Sequence, residues 1–277
     1  MPPVAAVFIA LSLGRVTGSI LAAPHLLRFR GGDDESDDAI LGSLKAQDKT
    51  GKLSRDEITE KLNRVPVFCI MKPDGSVISL PDRNGGEGDE CCTWFLSAAE
   101  VQSVFTKVKA ANPDEADGLV INLFGLGSAF EMCGGWPDAR PSEYEGKLLL
   151  QGDEAIVKVV DPQLVQAIKH QGLDPGSWRL PVFVGDGLAQ TEGSEEEGTL
   201  RQSALPVFFS PYDLKDAYER VGVPLPKVGP KTMDIRQLVA YMAAEPEEYP
   251  NPWRAVEFIT SAPSAELAKK LIAQKAA

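Results

Sequence analysis

The sequence predicts a mixed α/β (α+β) fold of two pseudo-repeated halves, their strands forming one mixed sheet or two joined sheets flanked by helices. Three observations predict it. The tripeptide Pro-Val-Phe recurs as Pro66-Val67-Phe68, Pro181-Val182-Phe183 and Pro206-Val207-Phe208. Thr93–Val108 aligns without a gap on Pro206–Val221, matching Phe95 with Phe208, Ser97 with Ser210, Glu100 with Asp213, Phe105 with Tyr218 and Val108 with Val221. Each half also alternates short apolar runs with stretches of helical spacing. Copies so far apart mark a duplicated half-domain, since solenoid repeats recur every 20 to 50 residues or so.

The elements follow in order. Ser54-Arg55-Asp56-Glu57 has the spacing of a capping box and opens a helix to about Leu62. Val65–Met71 and Val77–Leu80 read as a hairpin around Asp74-Gly75, followed by a Gly-containing loop over Asn84–Glu90. Trp94–Leu96 is a strand, and Ser97-Ala98-Ala99-Glu100 a second capping box. The helix after it carries Val101, Val104, Phe105 and Val108 on one face. Leu119–Phe124 is a buried strand, and a short helix starts within Gly125–Cys133. Leu148–Leu150 and Ile156–Val160 read as a hairpin around Gly152-Asp153. Asp161-Pro162 then starts a helix that ends at Gly172.

The second half repeats the plan. Leu180–Val184 and Leu205–Phe209 are strands with a ragged hairpin or loop between them. Ser210-Pro211 caps a helix burying Leu214, Ala217, Tyr218 and Val221. Lys227–Thr232 is a strand, Asp234–Ala244 a helix, Ala255–Thr260 a strand and Glu266–Lys275 an exposed tail helix. The expected organisation is therefore a signal-peptide-like segment over 1–23, a transit-like segment and acidic linker over 24–53, and a folded domain over 54–263. Its halves span about 54–172 and 178–263, and a tail helix occupies 264–277.

Charge narrows the partners. Lys and Arg total 28 against 40 Asp and Glu, a net of −12. The first 32 residues hold three Arg and no acid, so the remainder carries 25 basic and 40 acidic residues, or −15. Such a body is repelled by phosphate backbones and anionic headgroups, which argues against a nucleic-acid partner. Val4–Leu13 has the length of a signal-peptide apolar core and is too short to span a bilayer. Small residues and Ala22-Ala23-Pro24 follow it, then an acid-free basic segment, Pro24–Gly32, and the acidic run Asp33–Asp38.

No residue set reads as catalytic, cofactor-binding or metal-binding. His25 falls in the leader and His170 near a helix end, which leaves no histidine-based triad. Asp48–Glu57 resembles the latter part of a calcium-binding loop, but Ala46 stands where the first carboxylate is needed, so the helix cap is the better reading. Gly125-Leu126-Gly127 and Gly185-Asp186-Gly187 are turn glycines that continue into neither nucleotide-binding motif. The four cysteines, Cys69, Cys91, Cys92 and Cys133, form no CxxC, and the repeat sets Cys91 and Cys92 opposite Ala204 and Leu205, as small buried residues. The acidic stretch Glu192–Glu197 reads as a solvated loop, with docking of basic peptides as the functional alternative.

Several segments together resemble the Tic22-like family, the soluble intermembrane-space component of the chloroplast inner-envelope import translocon. They are Leu62–Phe68 after a short helix, Lys158–Gly172, Leu180–Phe183, Leu205–Phe209 leading into Ser210–Leu214, and Trp253-Arg254 before Val256–Ile259. The resemblance spans about Ser54–Pro263. It implies a non-enzymatic, cofactor-free import component that binds unfolded precursors and transit peptides beside other translocon subunits. It also implies a plastid location, and the apolar-then-basic leader resembles the bipartite presequence of proteins sent to a secondary plastid. The alternatives are a structural adaptor with a fixed envelope partner and a thiol oxidoreductase using Cys91 and Cys92.

Overall fold

A computed structural model describes residues 51–82, 89–138, 147–192, 201–227, 229–245 and 251–276. The expectations for the leader and most of the linker, and for much of the Gly-containing and acidic loops, lie outside the described residues. The first half runs α1 (Arg55–Asn63), β1 (Pro66–Met71), β2 (Leu80–Pro81), β3 (Glu90–Phe95), α2 (Ala98–Ala111), β4 (Val120–Gly125), α3 (Leu126–Met132), β5 (Lys147–Gln151) and α4 (Glu154–His170). The second runs β6 (Pro181–Val184), β7 (Gln190–Glu192), β8 (Arg201–Phe208), α5 (Pro211–Val221), β9 (Lys231–Asp234), α6 (Ile235–Ala243), β10 (Val256–Ile259) and α7 (Ala262–Ala276).

The duplication is written in the strand pairing. β1 lies antiparallel between β3 and β4, while β3 pairs with β2 antiparallel and with β5 in parallel. β6 lies antiparallel between β8 and β9, while β8 pairs with β7 antiparallel and with β10 in parallel. Even the register repeats, with Phe68 opposite Phe95 and Phe183 opposite Phe208. All four rings are at most 3% exposed. Alternation of side chains across a strand sends them to the outer face of their sheets. Phe68 and Phe95 pack there with Val101 of α2, and Phe183 and Phe208 with Leu214 and Tyr218 of α5. The opposite faces carry Val67, Cys69, Cys92 and Trp94 from one sheet and Val182, Val184 and Val207 from the other. These enclose a shared core with Ile58 and Leu62 of α1, Phe130 of α3 and Leu238 and Met242 of α6.

Two helices cross between the halves. α4 follows β5 of the first sheet but packs on β6 and β9 of the second. α7 follows β10 of the second sheet but packs on α2, β1 and β4 of the first, burying Leu267 and Ala268 beside Phe68 and Phe95. The helix expected as an exposed tail over Glu266–Lys275 is thus packed on the first sheet through Leu267 and Ala268. Its sparse apolar spacing reads as a solvated helix because one narrow contact is enough to fill the uncovered strip of the first sheet.

Further expectations need correction. The strand expected over Val77–Leu80 is only Leu80–Pro81 and pairs with β3, with a single bridge from Val77 to Met71, and the strand expected to be buried over Leu119–Phe124 leaves Val120 exposed. Ile156–Val160 is not a strand: α4 begins at Glu154, with Asp153 accepting from the Ala155 and Ile156 N–H groups, so Asp161 is no cap and Pro162 lies inside the helix. The β-branched run suggests a strand, but the buried positions Ile156, Leu164 and Ile168 recur at helical spacing and tertiary burial overrides propensity. Val221 is 62% exposed although its partner Val108 is 9% exposed. α7 packs against α2, whereas α4 reaches β6 and β9 and leaves the end of α5 uncovered. The third strand of the second half begins later than expected, at Lys231, and includes Asp234.

The caps are distributed differently from expectation as well. Ser54 and Glu57 do form the reciprocal box, at 3.2 and 2.8 Å. Ser97 accepts from the Glu100 N–H, but the Glu100 carboxylate turns to the N–H of Glu154 at 2.8 Å, capping α4 instead.

Truncating the repeated aromatics should be costly in both halves. Phe95→Ala and Phe208→Ala are each expected to lower unfolding free energy by about 3–5 kcal/mol in denaturant titrations. Leu267→Ala in α7 should lower it by about 2–4 kcal/mol, whereas a solvated tail helix would lose under about 0.5 kcal/mol.

Candidate functional site

Because α2 and α7 cover β1 and β4, the outer face of β3 and β5 remains as the floor of a groove of about 400 Å³. Thr93, Phe95 and Leu149 form that floor, Val104, Lys107 and Val108 of α2 one wall, and Val157, Lys158, Trp178 and Arg179 the other. The apolar helix stripe legible in the sequence is therefore shared between core and groove: Val101 is fully buried, whereas Val104 is half-buried.

The wall that carries Trp178 is held by one buried ion pair. Asp234, with no exposed surface, caps α6 through the Arg236 N–H and also accepts from the Leu180 N–H at 3.1 Å. Its carboxylate holds the Arg236 guanidinium at 2.8 Å, and that guanidinium donates to the carbonyls of Asp174, Pro175 and Trp178 at 2.7–2.9 Å. The same guanidinium stacks 4.4 Å from the Trp178 ring centre, and the indole N–H donates to the Cys133 carbonyl at 2.8 Å. Five donors in a planar fork suit this work, which a lysine could not repeat. This network was missed from sequence, where Asp234 reads only as a helix start.

A second cavity, of about 190 Å³, lies where the halves meet, not at the place equivalent to the groove. Repeat-related residues face one another across it: Leu96 and Phe209, Ser97 and Ser210, Asp153 and Ser261. Ser97, Ser210 and Asp153 are engaged as helix caps, each to its own helix. Burial, reinforced by Asp216, pushes the Asp213 carboxyl above its ordinary value.

The singled-out residues occupy separate places. Adjacent in β3, Cys91 and Cys92 point to opposite sheet faces: Cys91 toward the groove floor, Cys92 into the shared core. Burial pushes all four thiols up, Cys92 to about 11, which suppresses the thiolate that redox exchange requires. His170 is exposed in the last turn of α4. Glu57 pairs with Arg254 at 2.7 Å in addition to its capping role. Gly127 is an approach point: a Cβ there would stand 2.5 Å from the Thr59 carbonyl oxygen, so the start of α3 rests directly on α1. Gly187 gives its N–H to the Tyr218 hydroxyl at 3.0 Å. Packing accounts for both glycine motifs.

Removing one partner of the buried pair should be severe. Arg236→Met is expected to destabilise the chain by about 3–5 kcal/mol, since Asp234 is left charged, buried and unpaired. Asp234→Asn with Arg236→Met should recover part of that loss in thermal unfolding.

Neither protein-family models nor curated proteins match this sequence. Solved structures do match its fold. Tic22 from Plasmodium falciparum superimposes with a TM-score of 0.52 at 20% identity, covering 78% of this chain and 98% of that one. Anabaena Tic22, described with protein transport, superimposes with a TM-score of 0.51 at 18% identity, covering 79% of this chain and 98% of that one. The two sheets, the exchanged helices and the groove beside β3 and β5 are therefore built on a Tic22-like fold.

Proposed function

We propose that this chain is a non-enzymatic component of plastid protein import that holds precursor polypeptides during transit. The observation that carries this reading is the groove itself. Phe95, Val104, Val108, Leu149 and Trp178 give it an apolar lining carried on strands, a helix and the segment before β6. A trough lined mainly by side chains of that kind suits an extended apolar segment and fixes few polar contacts, which is what tolerance of many clients requires. The Tic22-like fold supports the transport role, as does an apolar-then-basic leader fitted to a secondary plastid. In this reading residues 1–53 deliver the domain to the space between envelope membranes, where translocon subunits are its neighbours. None of its helices, among the described residues, is long and apolar enough to cross a membrane.

One observation favours an adaptor as the second reading. Tyr212 at the start of α5 is 72% exposed, and Val221, Val223 and Leu225 are exposed at its end. Apolar groups outside the groove suit a fixed envelope partner better than a passing client.

Suppression of aggregation of a chemically unfolded client tests the first reading. The wild-type chain should protect the client without nucleotide, and Val104→Asp, which places a charge on the half-buried groove wall, should lose most of that protection at a temperature where circular dichroism shows the variant still folded. Protection equal in wild type and variant would move client binding away from the groove. No protection by either would leave the adaptor as the better account.

A further inference from the structure

The groove does not share the acidity of the chain around it. Its acids are already matched: Asp82, 1% exposed in its side chain, pairs with Lys147, and Glu154 pairs with Lys158 at 2.8 Å. Arg179 on the opposite wall pairs with Asp161 at 3.2 Å and donates to the Trp178 carbonyl. Lys107 is different. It is exposed on α2 beside Val108 and makes no ion pair with any described residue. A segment entering the trough therefore meets one uncompensated ammonium and, among the described lining residues, no uncompensated carboxylate. The chain's negative charge favours approach of basic segments, but among the described lining residues the groove offers their Lys and Arg no unpaired anion.

Resting on the polypeptide-binding function above, we propose that the groove selects apolar segments flanked by an acidic residue, whose carboxylate meets Lys107. The groove and the acidic surface then act on different parts of a client. The acidic exterior gathers the basic presequence over long range, while the groove takes an apolar stretch of the passenger with an acid beside it. An exposed ion pair at the edge of an apolar contact adds modest affinity, so the preference is a bias among clients that the apolar contact already admits.

Fluorescence anisotropy with three labelled peptides tests this. They share one apolar core and differ in a flanking Glu, Gln or Lys, and each is titrated onto the full chain, Lys107→Glu and Lys107→Gln. Groove-dependent binding is the part that Val104→Asp removes. At low salt the Glu-flanked peptide should bind the groove about two- to fivefold tighter than the Gln-flanked one. That margin should shrink as the screening length falls to about 3 Å in 1 M salt. Lys107→Gln should abolish the preference, and Lys107→Glu should turn it toward the Lys-flanked peptide, with melting temperatures unchanged. Equal groove affinities, tighter binding of the Lys-flanked peptide to the wild type, or an order unaltered by Lys107→Glu would overturn the selectivity while leaving polypeptide binding intact. If no peptide shows groove-dependent binding, the polypeptide-binding function fails instead.

Discussion

The structure depends on the reciprocal exchange of α4 and α7. Each half builds a sheet whose outer face carries a phenylalanine pair, and neither half supplies enough helix to cover it. α2 covers part of the first face and α5 part of the second; the missing helix comes in each case from the end of the other half. Exposing a phenylalanine pair and its neighbours in water would cost several kcal/mol per ring in lost burial. Exchange removes that cost twice. It also ties the halves into one cooperative unit and brings the caps of α2, α4 and α5 together beside Ser261 and Ser264 at the junction. Ser264 of α7 completes the tie, donating to the Leu96 carbonyl at 2.9 Å and accepting from the Ala98 N–H at 3.2 Å.

Within that shared frame the halves diverge at one place, and the divergence makes the groove wall. The N–H of Leu126 donates to the Val65 carbonyl, as that of Ile235 does to Leu180, so Gly125 and Gly127 stand where Asp234 and Arg236 stand in the repeat. In the first half the preceding segment is the helix α1, whose backbone groups satisfy one another. Glycine then lets α3 rest on it, and the Asn63 side chain accepts from the Ser128 N–H. In the second half the preceding segment, Asp174–Trp178, forms no helix. Its carbonyls need donors from elsewhere, and Arg236 provides them with Asp234 as counter-charge. The same event leaves Trp178 at the groove edge with its ring held under the guanidinium.

What was legible in the sequence is what local chemistry decides. The Ser54–Glu57 box, the short strands that carry the phenylalanines and the buried face of α2 each follow from residues within a turn or two. So does the equivalence of Thr93–Val108 with Pro206–Val221. The misreadings all involve partners far along the chain. Ile156–Val160 has strand composition and becomes helix because the second sheet waits for it. The last helix looks solvated because its one narrow contact is with the first sheet, at the other end of the fold. Val221 repeats Val108 in sequence, but burial belongs to the covering helix and not to the residue. The groove was legible only as an apolar stripe, and its local charge was not. Which lysine is left unpaired depends on Asp82 meeting Lys147 and Glu154 meeting Lys158, pairings fixed by the folded arrangement.

Native-state hydrogen exchange tests the interlocking of the halves most directly. Amides of Cys69 and Ile70 in β1 and of Val182 and Phe183 in β6 sit in the two sheets, which meet through the shared core and the exchanged helices. If the exchange of α4 and α7 makes one cooperative unit, both sets should open with the same free energy and the same denaturant dependence, equal to those of global unfolding. If one set opens in a sub-global step several kcal/mol below the other, the halves are separable and the account is contradicted.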